Sequence, residues 1–333
     1  MAAQSLVLPE APAIPGLRFR HFGGEADFPD IAAVINASNA ADLNRERFTV
    51  EKLAHAFAHP VHWDPRRDCL LVEVDGALVG YAYTEWREEY AGDCLHLLRL
   101  HLMPEWRGRG LELAMHCHIE RRAREVAAGV GVPGARHVFA GLVPETWGAR
   151  SAMLVARGYP AVRHFFDMER SLDDELPTAP LPAGIEIRPV LPEHSRPIWE
   201  ATLEAFRDHW SNMPPDEEDF QAWLKSPERD PSLWVVAWDR DQVAGGAINM
   251  VHDDEQSERG ATGWVDDLFV RCPWRKQGLG RALLVGSLRL FKARGLATAG
   301  LNVDAENLTG ALRLYERVGF RVYRHMVAYD KPM

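Results

Sequence analysis

Between positions 275 and 282 the chain reads Arg275-Lys276-Gln277-Gly278-Leu279-Gly280-Arg281-Ala282, three cations and two glycines in one short stretch. Glycine has no Cβ, so an anion can approach the backbone closely at Gly278 and Gly280. If a helix begins here, its first N–H groups lack intrahelical partners and carry partial positive charge. Arg275, Lys276 and Arg281 add full charges, so the chemistry on offer is the binding of a diphosphate. Just upstream stands the carboxylate pair Asp266-Asp267, followed by Leu268-Phe269-Val270. Neighbouring strand residues face opposite ways, so only one of the two acids is expected to face a cleft.

The elements that position these groups are legible. Leu268, Phe269 and Val270 favour a strand, which Pro273 stops. From Gly278 the apolar residues Leu279, Ala282, Leu283, Gly286, Leu290 and Ala293 recur at helical spacing. A second helix is expected after Asn307, a good N-cap, with Leu308, Ala311, Leu312 and Tyr315 on one face. Gly319 sits where a left-handed helix end is expected, and Phe320 opens the next strand. Taken alone, Tyr315 fits equally as a core aromatic. The basic turn is not a P-loop, because no Gly-Lys-Ser/Thr follows. It lacks the first glycine of a dinucleotide fingerprint.

Arg275-x-x-Gly278-x-Gly280 after a strand ending in Val270, followed by Asn307, Tyr315 and Gly319-Phe320, resembles the GNAT superfamily of N-acetyltransferases. The resemblance implies an α/β fold (an α+β mixed, twisted sheet flanked by helices) and acetyl-CoA as co-substrate. It assigns cofactor contacts to Leu268, Phe269, Val270, Arg275 through Ala282 and Asn307, and makes Tyr315 the general acid. The cofactor would enter where two central parallel strands, 262–270 and 297–303, splay apart. A lysine-like amine, with a pKa near 10.4, is almost wholly protonated at neutral pH, and freeing it costs about 4–5 kcal/mol. A positioned base helps: Asp266, Asp267 or a water relay. The departing thiolate would take a proton from Tyr315, and Val270 would offer its N–H to the tetrahedral oxyanion. No Ser/His/Asp or Cys/His nucleophile is required, and Cys272, followed by Pro273, reads as structural.

The chain also repeats itself. Gly16–Arg20 parallels Gly184–Arg188, Cys69–Gly80 parallels Leu233–Gly245, Pro104–Glu112 parallels Cys272–Gly280, and Arg157-Gly158-Tyr159 parallels Val318-Gly319-Phe320. Such a long offset marks a duplicated domain rather than a solenoid. The Pro-rich, acidic stretch 171–184 reads as a linker, giving a degenerate N-terminal GNAT-like domain at 1–170 and a catalytic one at 185–333. Glu112 stands where the second copy has Gly280, and Leu154 where it has Tyr315. The whole resembles a tandem-domain, mycothiol-synthase-like architecture.

Composition bounds the partners. The chain has 333 residues and a formal charge of −10, with 47% hydrophobic and 26% charged residues. These values fit a globular protein, and the charge argues against nucleic acid or an anionic membrane as partner. Residues Met1 to Pro15 show no signal-peptide pattern, and no apolar run approaches the ~20 residues of a membrane span. Four cysteines without CxxC spacing suggest no disulfide framework. His116, Cys117 and His118 would point to different faces of a helix, so no metal is expected. The segment Phe206–Glu218 is expected to wall the acceptor site. Within it Asp208, His209 and Trp210 suit a cation, while Pro214, Pro215 and Asp216 equally suit a capped turn. Asp253-Asp254-Glu255 reads as a solvated hairpin tip. The expectation is a cytoplasmic, acetyl-CoA-dependent N-acetyltransferase acting on a small-molecule amine, as monomer or homodimer. The alternatives are a protein or peptide N-acetyltransferase and a non-catalytic acyl-CoA sensor.

Overall fold

A computed structural model of the chain describes residues 5–89, 92–130, 132, 134–207, 217–226, 229–252, 260–306 and 310–333. The chain divides into two compact units, Met1–His164 with Met326–Met333, and Phe165–His325. The first unit contains β1 (Ser5–Leu6), β2 (Leu17–Arg20), α1 (Phe28–Ala41), α2 (Val50–Ala58), α3 (Pro65–Asp68), β3 (Cys69–Val74), β4 (Ala77–Glu88), β5 (Asp93–Leu102), α4 (Leu111–Gly129), β6 (Arg136–Pro144) and α5 (Gly148–Ala156). Next comes β7 (Ala161–Ser171), whose later residues belong to the second unit. That unit continues with β8 (Ile185–Arg188), α6 (Ser195–Phe206), α7 (Glu217–Lys225), β9 (Val235–Asp239), β10 (Gln242–His252), β11 (Thr262–Val270), α8 (Leu279–Ala293), β12 (Thr298–Asp304) and α9 (Ala311–Arg317). The last strand, β13 (Arg321–Pro332), begins in the second unit and ends in the first.

The boundary expected at 171–184 therefore differs from the division of the folded chain. In the second unit, Phe165–Ser171 of β7 pair antiparallel with Asp304–Thr298 of β12. In the first, Met326–Pro332 of β13 pair antiparallel with Pro144–Val138 of β6. Each repeat thus hands the end of its last strand to the other unit's sheet. The reason is register: each donated segment supplies the backbone partners that β6 or β12 needs on its free edge.

Within each unit the strands follow the same plan. The first runs β1-β2-β3-β4-β5-β6 and ends on the β13 segment; the second runs β8-β9-β10-β11-β12 and ends on the β7 segment. All pairings are antiparallel except β5 with β6 and β11 with β12. The predicted periodicity of 278–294 is realised in α8, which buries Leu279, Ala282, Leu283, Leu284, Leu288 and Phe291 against β9, β10 and β11. Ile198 of α6 covers the opposite face with Trp234, Val236, Ile248 and Phe269. In the first unit Leu111, Ala114, Met115 and Ile119 of α4 play the part of α8. Ile31 and Ile35 of α1 play that of α6. No described helix is long and apolar enough to cross a membrane.

Candidate active site

The parallel ladder between β11 and β12 runs through four rungs and ends at Val265–Leu301. Beyond it β11 continues along β10 to Val270, and β12 continues along β7 to Asp304. The two central strands therefore separate over 266–270 and 302–304, the splay expected from the sequence.

Which atoms face that opening follows from the β10–β11 register. Arg271 donates its N–H to the Ala244 carbonyl, so the neighbouring pair, Gly245 with Val270, is the non-bonded kind. The backbone groups of Val270, and of Leu268 two residues back, consequently point away from β10 and into the splay. The expected oxyanion donor, the Val270 N–H, has the orientation that role needs.

A bulge sets which way the two acids face. Ile248 pairs with Asp267, whereas Asn249 pairs with Val265, so Asp266 is the extra residue of the bulge. Side-chain parity reverses across it. Val265 packs toward α8; so do Leu268 and Val270, whereas Phe269 packs toward α6. Without the bulge, Asp267 would share the face of Val265 and point into the apolar core under α8. With it, Asp267 faces the α6 side. Asp266 is exposed. The sequence could not show the bulge, because it carries no glycine or proline to mark it.

Asp267 is half-buried, and desolvation pushes its carboxyl up to about 6. Among the described residues no side chain pairs with it. Tyr315, on α9, is buried among Leu268, Val270, Leu279, Val303 and Phe320. Burial, then the Asp267 charge, pushes its phenol up to about 12, so it holds its proton at neutral pH. Gly319, left-handed at φ 95°, ends α9, and Phe320 donates its N–H back to the Tyr315 carbonyl. Arg170, buried on β7, donates to the Val318 carbonyl and caps the helix with positive charge. That cap comes from the first repeat and was not foreseen.

The basic turn leads into α8. Lys276 and Gly278 are both left-handed (φ 62° and 86°), and α8 starts at Leu279. Successive N–H groups in such a turn form an anion-binding concavity. Lys276, Gln277 and Arg281 are exposed, Leu279 and Ala282 are buried, and a Cβ on Gly280 would meet only Val270 and Leu314, at 3.6 and 3.8 Å. Arg275 differs from expectation. Its guanidinium donates to the Val270 carbonyl at 2.9 Å and the Ala205 carbonyl at 3.0 Å, tying the turn to the ends of β11 and α6. Its charge lies beside the turn, but these two bonds hold it in place.

Across the splay, Asn302 is exposed, and its amide donates to Asp167 at 2.6 Å; Arg324 holds the same carboxylate at 2.8 Å. Gly300 packs against Trp264, so alternation puts Asn302 on the face away from α8, with Asp267. Sequence reasoning missed Asn302, whose only signal is a polar residue inside an apolar strand. Asn307 and the wall residues Asp208, His209 and Trp210 lie outside the described residues, as do Asp253, Asp254 and Glu255.

The first unit reproduces the scaffold with different residues at the matching positions. Gly108 and Gly110 repeat the left-handed pair at φ 72° and 89°. Glu112, almost fully buried, accepts the Gly108 N–H at 2.6 Å. Arg107, the counterpart of Arg275, is clamped by Asp42 at 2.7 and 2.8 Å. Leu154, in place of Tyr315, is a core residue. His116 faces Glu120 and Tyr159 while His118 approaches His21, so the two point apart.

The chain matches the family described as Acetyltransferase (GNAT) family over residues 38–136 and 196–320. It is 31% identical to a mycothiol acetyltransferase of Geodermatophilus obscurus, covering 89% of this chain and 91% of the relative. It is 30% identical to one of Thermobispora bispora, covering 79% and 83%. Among solved structures, a GCN5-related N-acetyltransferase from Sphaerobacter thermophilus aligns with a TM-score of 0.72 at 25% identity, covering 98% of this chain and 97% of that one. A tandem GNAT protein from the clavulanic acid biosynthesis pathway shares the fold, with a TM-score of 0.66 at 15% identity over 95% of this chain and 98% of that one. With two stretches matching one family and a splayed-strand site in the second, the chain belongs to the GNAT acetyltransferases and is an acetyl-CoA-dependent N-acetyltransferase.

Proposed function

We propose that the second unit acetylates the primary amine of a small molecule by direct attack on acetyl-CoA. The observation that carries this reading is the opening after Val265–Leu301, with Asp267 and Tyr315 beside it and the Lys276–Ala282 turn at the end of the same strand. The turn would hold the diphosphate through the N–H groups of 276–281, aided by Lys276 and Arg281. The pantetheine arm would lie along the Leu268 and Val270 backbone.

Asp267, ionised above about pH 6, takes the ammonium proton directly or through a water. The neutral amine attacks the thioester carbon, and the Val270 N–H stabilises the oxyanion. As the tetrahedral intermediate collapses, the C–S bond breaks, Tyr315 protonates the leaving thiolate, and the second proton of the attacking nitrogen passes through water to restore the phenol. The exposed Asp266 is not the base; it is the residue whose bulge aims Asp267. On the acceptor side Asp267 offers a carboxylate, and the exposed Asn302 amide, its NH2 held by Asp167, offers its oxygen as an acceptor. Such a surface suits a cationic amine bearing further hydrogen-bond donors. The relatives named mycothiol acetyltransferase support a small-molecule acceptor.

The test is a panel of primary amines assayed for thiol release from acetyl-CoA, with Tyr315→Phe as control. Amine-dependent release that collapses in the variant is expected. Release only with peptide amines would move the assignment to peptide N-acetylation. Tight acetyl-CoA binding with no release from any amine would favour a sensor.

A further inference from the structure

The first unit also has a splayed pair. The β5–β6 parallel ladder ends at Leu97–Ala140. Met103 donates to the Val79 carbonyl, and by the alternation of the β4–β5 ladder the backbone groups of Leu98, Leu100 and Leu102 then point away from β4, into the gap. That strand edge is the counterpart of Leu268 and Val270. Here it is not open. Arg150, at the start of α5 and 4% exposed, donates to the Leu98 carbonyl at 3.0 Å and the Leu100 carbonyl at 3.2 Å. No carboxylate forms an ion pair with it among the described residues. The corresponding residue of the second repeat is Ala311, which has no donor.

The other end of the same groove is filled in the same manner. Glu112 places a carboxylate oxygen 2.6 Å from the Gly108 nitrogen; the matching residue of the second unit is Lys276, left-handed like Gly108. One side chain stands in for an anionic phosphate and the other for a hydrogen-bond donor, as the amides of a pantetheine arm would be. Both lie along β5 and the turn that follows it.

We propose that the first unit retains a second acyl-CoA groove, shut by two of its own side chains, Glu112 in the diphosphate turn and Arg150 along the pantetheine strand. The unit is its own ligand. A buried guanidinium without a direct ion pair costs desolvation energy, and here it satisfies two strand-edge carbonyls. The inference concerns the first unit and does not depend on which amine the second acetylates.

The test replaces both groups by the residues of the second repeat and counts acetyl-CoA sites by calorimetry on the full chain. Wild type should bind one equivalent and Gly280→Glu none. Glu112→Gly with Arg150→Ala should bind two, and acetyl-CoA should raise its melting temperature more than that of wild type, since a ligand bound only by the folded form stabilises it. Glu112→Gln, which keeps an acceptor oxygen in the turn, should remain at one. Two equivalents in wild type, one surviving Gly280→Glu, would overturn the proposal. So would a folded double variant, verified by circular dichroism and a cooperative melt, that still binds one. If Arg150→Ala prevents folding, Glu112→Gly in the Gly280→Glu background is titrated with CoA instead. Millimolar uptake is expected there, and none in a folded protein counts against the plug. A wild type that binds no acetyl-CoA would defeat the function proposed for the second unit, yet the double variant would then bind one equivalent rather than none.

Discussion

The Asp267 carboxyl lies close enough to the Tyr315 phenol for its charge to tighten that phenol's hold on its proton. A base that is ionised and an acid that is protonated at one pH are what amine acetylation needs, and the Asp267 charge helps keep Tyr315 protonated.

The pH profile should show this division. With Asp267 raised to about 6, kcat/KM should fall on the acid side below about pH 6. Asp267→Asn should remove that limb and lower the rate about 10²–10⁴-fold, while Asp266→Asn should leave the limb in place. Stability gives an independent check on sign. An acid whose folded pKa is raised stabilises the fold below its ordinary value near 3.8 and loses that contribution as pH rises through about 6. Asp267→Asn should therefore melt higher than wild type at pH 7, although it is slower. An unchanged acid limb in Asp267→Asn would leave the water relay as the better account.

Tyr315→Phe should lower kcat by about 10²–10⁴-fold with little change in acetyl-CoA affinity. The ring stays in its apolar seat beside Phe320 and Leu279, and only the hydroxyl is lost. A kcat near wild type would remove Tyr315 from the mechanism.

Gly280→Glu should abolish acetyl-CoA binding. The first repeat displays the outcome: with the same left-handed turn, the carboxylate at the equivalent position takes the N–H that a phosphate would use. Unchanged affinity by calorimetry would mean that this turn does not hold the diphosphate.

Fragments cut at different places should behave differently. Residues 165–325 keep the β7 segment that pairs with β12 and should fold and bind acetyl-CoA. Residues 185–333 lack that segment and expose the edge of β12, so they should aggregate or bind poorly. The reverse ranking in solubility and calorimetry would show that β7 is dispensable.

The sequence carried much of this, and its limits are specific. Periodicity gave α8, because burial leaves marks on residue types, and the resemblance to the GNAT family gave the splay. The duplication and the substitutions Glu112 and Leu154 were visible by simple alignment of the halves. Facing of Asp266 and Asp267 was not, since a bulge changes parity without changing composition. The expectation for Arg275 counted its charge but not the carbonyls of Val270 and Ala205, which only the folded chain brings within reach. The plug by Arg150 is hidden for the same reason, since its partners stand about fifty residues away on another strand. The domain boundary followed the Pro-rich stretch, a local signal, whereas the last strands exchange through long-range pairing that no local pattern records.

That exchange sets an order in time. A chain leaving the ribosome usually finishes its earlier domain first, but here β6 waits for Met326–Pro332. The first unit cannot complete its sheet until nearly all of the 333 residues have been made. The second needs only residues up to His325, so the unit encoded later is the one that can close first.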